Sequence, residues 1–214
     1  DLSIEALQGK LFHFVYIGGC GMSGLARLMA KHGAQIQGTD NVESLVTKGL
    51  SQESISVSYC QDGSTITGDI DAIVHSAAIP PEHFEISKGD ELGIPVITYA
   101  QMLGFVQANS TGVCIAGTHG KSTTVSMLCA ILLESGFDPS FIVGAHCNQI
   151  GGSSRVGAKT IMNGTLEGNA GILISESCEF NRSFHDHFPK LGLINNIEED
   201  HLDYYHSLDA IIES

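Results

Sequence analysis

Basic residues are scarce. The 214 residues hold 10 Lys and Arg against 24 Asp and Glu, a net charge of −14. Binding a nucleic-acid backbone needs a basic face, so the composition argues against nucleic acid as a partner. An anionic ligand must instead be met by local devices: helix ends, a single lysine, a divalent metal. No apolar run reaches the roughly 20 residues of a membrane span, so no membrane insertion is expected. The first residues, Asp-Leu-Ser-Ile-Glu-Ala-Leu, lack the basic start and apolar core of a signal peptide. Six cysteines occur, at 20, 60, 114, 129, 147 and 178, and no two form C-x-x-C. Zinc-ligand spacing is therefore missing, and a reduced, cytoplasmic protein with buried thiols is expected. Tryptophan is absent and aromatics are few, but 43% of residues are apolar, an ordinary globular composition with an α/β flavour.

What is present is organised around Val113–Thr124. An apolar run, Val-Cys-Ile-Ala, reads as a buried parallel strand. The tight loop Gly117-Thr118-His119-Gly120 follows, then Lys121, Ser122, Thr123 and an apolar-periodic helix. Strand, glycine loop and Lys-Ser at a helix start make a phosphate cradle. Backbone N–H groups and the positive helix end face the anion, Lys121 supplies a mobile charge, and the Ser122 hydroxyl can ligate Mg²⁺. The general P-loop pattern would place a glycine at 115, where Ile115 stands, so this loop is shorter.

A second glycine loop lies upstream. Leu11–Ile17 reads as a strand, followed by Gly18-Gly19-Cys20-Gly21-Met22-Ser23-Gly24 and a helical pattern ending near Gly33. Gly19, Gly21 and Gly24 fit G-x-G-x-x-G in the required strand-to-helix setting. Asp40 follows about twenty residues on, where an acid can meet a ribose or a base; a strand-end turn residue or helix cap explains it equally well. Alone, this unit suggests NAD, although any pyrophosphate is recognised by the same physics. A strand over 71–79 ends in Ser76-Ala77-Ala78-Ile79, which should border the site, and Pro80-Pro81 stops it. The polar stretch 107–112 reads as a flexible linker, with a domain boundary near 108.

In the second half, Gly136 ends the helix after the phosphate loop and a strand starts at Phe141. Residues 145–169, rich in Gly, Asn and Ser and containing Arg155, read as loop or irregular hairpin. Ala170–Ser175 reads as a buried strand carrying Glu176 at its end, in place for an outer ligand of Mg²⁺. Leu191–Asn195 is another strand, followed by Asn196-Ile197-Glu198-Glu199-Asp200-His201-Leu202-Asp203. Asp200, His201 and Asp203 offer hard donors and one imidazole, or simply acidic residues at a helix start. The chain ends inside an apparent helix and supplies about four strands to its second sheet, so it is read as incomplete there.

Taken together, Ile17–Gly24, Gly38–Asp40, Ser76–Ile79, Gly117–Thr123, Glu176–Phe184 and Asn196–Asp203 resemble the Mur ligase family, ATP-dependent amide-bond-forming enzymes of peptidoglycan synthesis. The motifs stand in family order over nearly the whole chain, and the short phosphate loop is the family's form. The resemblance implies a Rossmann-like, parallel-sheet UDP-sugar domain over 1–108 and a P-loop-type ATPase domain over 109–214, with a further domain absent. Gly18, Gly19, Cys20, Gly21, Met22, Ser23, Asp40, Ser76, Ala77 and Ala78 would then hold the UDP-sugar. Gly117 to Thr123 would hold ATP, with Lys121 on its phosphates. Ser122 and Glu176 would hold one Mg²⁺ and His201 a second, making Lys121, Glu176 and His201 the catalytic set. Arg182 and the 145–155 loop would touch the muramate side. Family members typically carry Thr at the place of Ser122 and, in many cases, Asp at that of Cys178. The implied substrates are UDP-N-acetylmuramate and L-alanine, with a whole tripeptide as the alternative amine. An NAD(P)-linked oxidoreductase and a non-catalytic nucleotide module stand as rival readings. The chain alone is expected to bind UDP-sugar without appreciable turnover.

Overall fold

The computed structural model describes residues 3–177, 180–199, 205 and 207–213. They form two compact units, Asp1–Met102 and Leu103–Ser214.

The first unit holds β1 (Leu11–Val15), α1 (Cys20–Lys31), β2 (Gln35–Thr39), α2 (Leu45–Gln52), β3 (Ser56–Ser58), β4 (Ala72–His75), α3 (Phe84–Leu92) and β5 (Val96–Thr98). All its strands pair in parallel, in the order β3-β2-β1-β4-β5. The chain winds outward from β1 in one direction, then restarts on the other side with β4. That reversal opens a crevice beyond the C-terminal ends of β1 and β4, where such sheets bind ligands. Near-continuous apolar strands are what a sheet covered on both faces requires. Phe14, Val15, Ile73 and Val74 are fully buried, and α1 packs Leu25, Ala26, Leu28 and Met29 into the core.

One polar group breaks the apolar layer. Glu85 and His13 are both 0% exposed, with His13 Nε2 3.4 Å from Glu85 Oε1. The Thr39 hydroxyl donates to Glu85 Oε2 at 2.7 Å. A buried carboxylate is tolerated only with such partners.

The second unit contains β6 (Thr111–Ala116), α5 (Lys121–Glu134), β7 (Ser140–Cys147), β8 (Gly152–Arg155), β9 (Ile172–Glu176), β10 (Leu191–Ile194) and α6 (Leu208–Ile212). Its sheet has the order β10-β6-β9-β7-β8. Only β8 is antiparallel, forming a hairpin with β7. Ile115, Val125, Cys129, Phe141, Val143 and Ile174 make the core between α5 and the sheet. Burial pushes the Cys129 thiol up to about 12, so it is an inert packing group. β10 lies at the sheet edge with Leu191, Leu193 and Ile194 exposed.

Several elements depart from the sequence reading. β1 stops at Val15 because Tyr16 takes a left-handed conformation, φ 57°. β4 stops at His75, and Ser76–Ile79 is a turn closed by Ile79 N–H donating to Ser76 O at 3.0 Å. The 107–112 stretch is not loose. A helix, α4 (Tyr99–Ala108), runs through its start, and β6 begins at Thr111. Gln107 is fully buried and donates through Nε2 to Ser175 Oγ at 2.7 Å. The second sheet has five strands rather than four, because residues 152–155 pair with β7.

Replacing Glu85 by Ala leaves the buried Thr39 hydroxyl without its acceptor, and should cost roughly 1–3 kcal/mol. Urea unfolding of the variant would show the midpoint falling at unchanged slope.

Candidate functional site: two phosphate-binding loops

The loop of the second unit leaves β6 at Ala116. Gly117 has φ +133° and Gly120 φ +80°, values that side chains rarely adopt. A Cβ at Gly117 would also press on the Asn196 backbone at 3.1 Å. The segment after β10 fastens the loop from outside. Asn196 Oδ1 accepts from His119 N–H at 2.9 Å, and Asn196 O accepts from Thr118 N–H at 3.3 Å. The Thr118 hydroxyl accepts from Glu198 N–H at 2.9 Å, and Asn195 Nδ2 donates to Thr124 Oγ1 at 3.0 Å. Lys121 Nζ bends back to donate to Gly117 O at 2.5 Å and Thr118 O at 3.3 Å. Gly120 is the N-cap of α5, and no side chain caps that helix. The start of such a helix is where backbone N–H groups can meet an anion.

Glu176 ends β9, paired across from Ile115 and so level with the start of the loop. Its Oε1 accepts from Gly144 N–H at 2.7 Å. Beyond Gly144, a cleft of 420 Å³ opens between the start of α5 (Ser122, Thr123, Ser126) and the end of β7 (Ala145, His146, Cys147). Ser122 and Glu176 suit Mg²⁺, a hard cation that takes few protein oxygens and keeps waters for the rest. Among the described residues no three His, Cys, Asp or Glu side chains gather as a metal cluster. His201, Cys178, Glu179, Asp200 and Asp203 lie outside the described residues, as does the side chain of Arg182.

In the first unit, Gly18–Gly19 lead from Ile17 into α1, which also starts without a side-chain cap. Asp40 is 8% exposed, and its Oδ2 accepts from Gly18 N–H at 2.8 Å, its Oδ1 from Asn41 N–H at 2.9 Å. The carboxylate thus braces the loop. A Cβ on Gly18 would fall 2.6 Å from that oxygen, and one on Gly21 would fall 2.9 Å from the Tyr99 ring. Cys20 is exposed, whereas the Met22 and Ser23 side chains are buried, leaving main-chain N–H groups as what these two positions offer. Across the crevice, Ser76 Oγ accepts from Ala78 N–H at 3.2 Å, shaping a turn that leaves Ala77 and Ala78 exposed.

A half-buried group that periodicity does not reveal lies behind the second loop. His187 Nδ1 is 3.1 Å from Ser177 Oγ and 3.4 Å from Cys114 Sγ. Burial pushes its imidazole below the ordinary value, against the opposing charge of Asp186.

Two models of one family cover the chain. The Mur ligase family catalytic-domain model matches residues 11–111, and the Mur ligase middle-domain model matches 115–214. The chain belongs to the Mur ligase family. It is 37% identical over 211 residues to a UDP-N-acetylmuramate–L-alanine ligase of Clostridium kluyveri, covering 98% of this chain and 44% of that protein. A ligase of the same name from Lachnospira eligens is 38% identical over 203 residues, covering 94% and 42%. The chain thus spans less than half the length of these curated relatives. Among solved Mur ligases, the UDP-N-acetylmuramate:L-alanyl-γ-D-glutamyl-meso-diaminopimelate ligase of Neisseria meningitides superposes with a TM-score of 0.81 at 27% identity, covering 95% of this chain and 65% of that one. The UDP-N-acetylmuramate-alanine ligase of Thermotoga maritima shares the fold, with a TM-score of 0.79 at 23% identity, covering 94% and 45%.

The lowered pKa of His187 fixes a pH dependence. Below its ordinary value the unfolded chain takes up a proton that the folded one refuses, so stability falls as pH drops from about 6.5 through the folded pKa. His187→Gln should flatten the thermal midpoint between about pH 7 and pH 5, read by calorimetry.

Proposed function

We propose that this chain carries the nucleotide-sugar-binding and ATP-binding parts of a UDP-N-acetylmuramate–L-alanine ligase. One contrast carries the reading. α2 and α3 start with side-chain caps, from Ser44 and His83, whereas the N-caps of α1 and α5, the two helices that follow glycine loops, are Gly19 and Gly120, which carry no capping side chain. Two uncapped helix starts behind two glycine turns suit two anionic ligands. A nicotinamide enzyme would account for the first alone, and the named relatives support the ligase.

In this reading the first loop holds the UDP diphosphate through the N–H groups at the start of α1, with Asp40 bracing the loop and the 76–79 turn bordering the nucleotide. The second loop holds the ATP phosphates. Lys121 leaves its carbonyl partners to meet them, and Ser122 and Glu176 hold Mg²⁺, which would offset charge on the transferring phosphoryl group. The lactyl carboxylate takes the γ-phosphoryl group, giving an acyl phosphate and ADP. The amine of L-alanine then displaces phosphate to form the amide. The likeness to the Neisseria ligase supports a second reading, in which a tripeptide supplies the amine.

Titration calorimetry of the chain should show binding of both UDP-N-acetylmuramate and MgADP. Lys121→Ala should weaken MgADP alone and, in the complete ligase, raise the phosphoryl-transfer barrier by about 3 kcal/mol. Binding of NADH in place of UDP-N-acetylmuramate would overturn the proposal. Comparing L-alanine with the tripeptide as amine in the complete ligase decides between the two readings.

A further inference from the structure

The glycine loop of the first unit is tied to a buried acid on α3. Glu85, the second residue of α3, is fully buried. Its partners come from several directions: His13 on β1 at 3.4 Å, Thr39 on β2 at 2.7 Å and the Thr65 hydroxyl at 3.4 Å. Gln37 Nε2 closes the network, 3.3 Å from His13 Nδ1 and donating to Thr65 O at 3.1 Å.

Thr39 is where this network meets the loop. While its hydroxyl donates to Glu85, its carbonyl accepts from Ile17 N–H at 2.9 Å. The next residue is Asp40, which takes the Gly18 N–H at 2.8 Å. Two successive residues of β2's end therefore hold two successive amides at the loop's entry. A second link joins the same elements. His83, the cap of α3, accepts from Glu85 N–H at 3.4 Å, and its ring meets the edge of Tyr16 at 5.7 Å. Tyr16 is the left-handed residue just before Ile17. α3 itself follows the 76–79 turn on the other wall of the crevice.

We propose that Glu85 is a positioning residue for the diphosphate loop: through Thr39 it fixes Ile17 and Asp40, and through Asp40 the Gly18 amide, so that the start of α1 faces the diphosphate of a nucleotide. The inference rests on the reading of this loop as a nucleotide-diphosphate site. An apolar side chain would fill the space at lower cost than a buried acid, and this acid ends on Thr39, the residue whose carbonyl holds the loop's entry.

Because Glu85→Ala is destabilising, the test uses Thr39→Val, which removes the donor and keeps the shape, and Thr39→Ser, which keeps the donor. Each whole-chain variant is titrated with UDP and with MgADP well below its thermal midpoint. Thr39→Val should weaken UDP about tenfold, as expected for losing a hydrogen bond to a charged group. Thr39→Ser should restore UDP affinity, and MgADP affinity should not change in either variant. UDP affinity at the wild-type level in Thr39→Val, failure of Thr39→Ser to restore it, or a parallel loss of MgADP would overturn the proposal. If the wild-type chain binds MgADP and no UDP, the nucleotide-diphosphate reading fails, and this inference falls with it.

Discussion

A backbone loop can hold an anion only if its amides are not already spent on one another. It must also be rigid, because ordering it at the moment of binding would consume the affinity gained. Both glycine loops are stiffened in the same way: side chains from distant segments take amides at the edge of the loop. Asp40 takes Gly18, and Asn196 takes His119. The braces are carried by the ends of neighbouring parallel strands, β2 beside β1 and β10 beside β6. The strand order that opens the crevice thus also delivers the side chains that stiffen it.

Much of this was legible from the chain alone. The alternation of apolar runs and glycine turns locates the elements, since a strand buried on both faces must be apolar and a tight turn into a helix must be glycine. The family follows from the motifs, and the comparisons bear it out. What escaped is polar and non-local. Glu85 looks like an ordinary acid in the first turn of a helix, and only the packing of α3 over β1 and β2 shows that it is enclosed. Gln107 looks like the start of a linker, because polarity does not distinguish a solvated amide from one hydrogen-bonded to Ser175. Asp40 was found by spacing, but spacing does not say which way a carboxylate points. Asn195 and Asn196 could have been suspected from two amides directly after a strand, a place where apolar residues have no task.

The two cradles differ in the charge they bring. The first relies on dipoles and main-chain donors. The second adds the full charge of Lys121, with Ser122 and Glu176 proposed as oxygen donors for a cation. A diphosphate that is only held needs no more than the former. A phosphate that is to be transferred gathers charge as it leaves, and fixed countercharge is worth most there. The difference in equipment matches the division of labour proposed for the two units.

The posture of Lys121 has a consequence for how tightly the second loop grips. Its ammonium already rests on the carbonyls of Gly117 and Thr118, so those carbonyls compete with any phosphate for the same lysine. If the loop takes a nucleotide as proposed, its arrival would be an exchange of partners rather than the making of a new one. On the proposed reading of this loop, a measured nucleotide affinity would report a difference between two bound states of the same lysine.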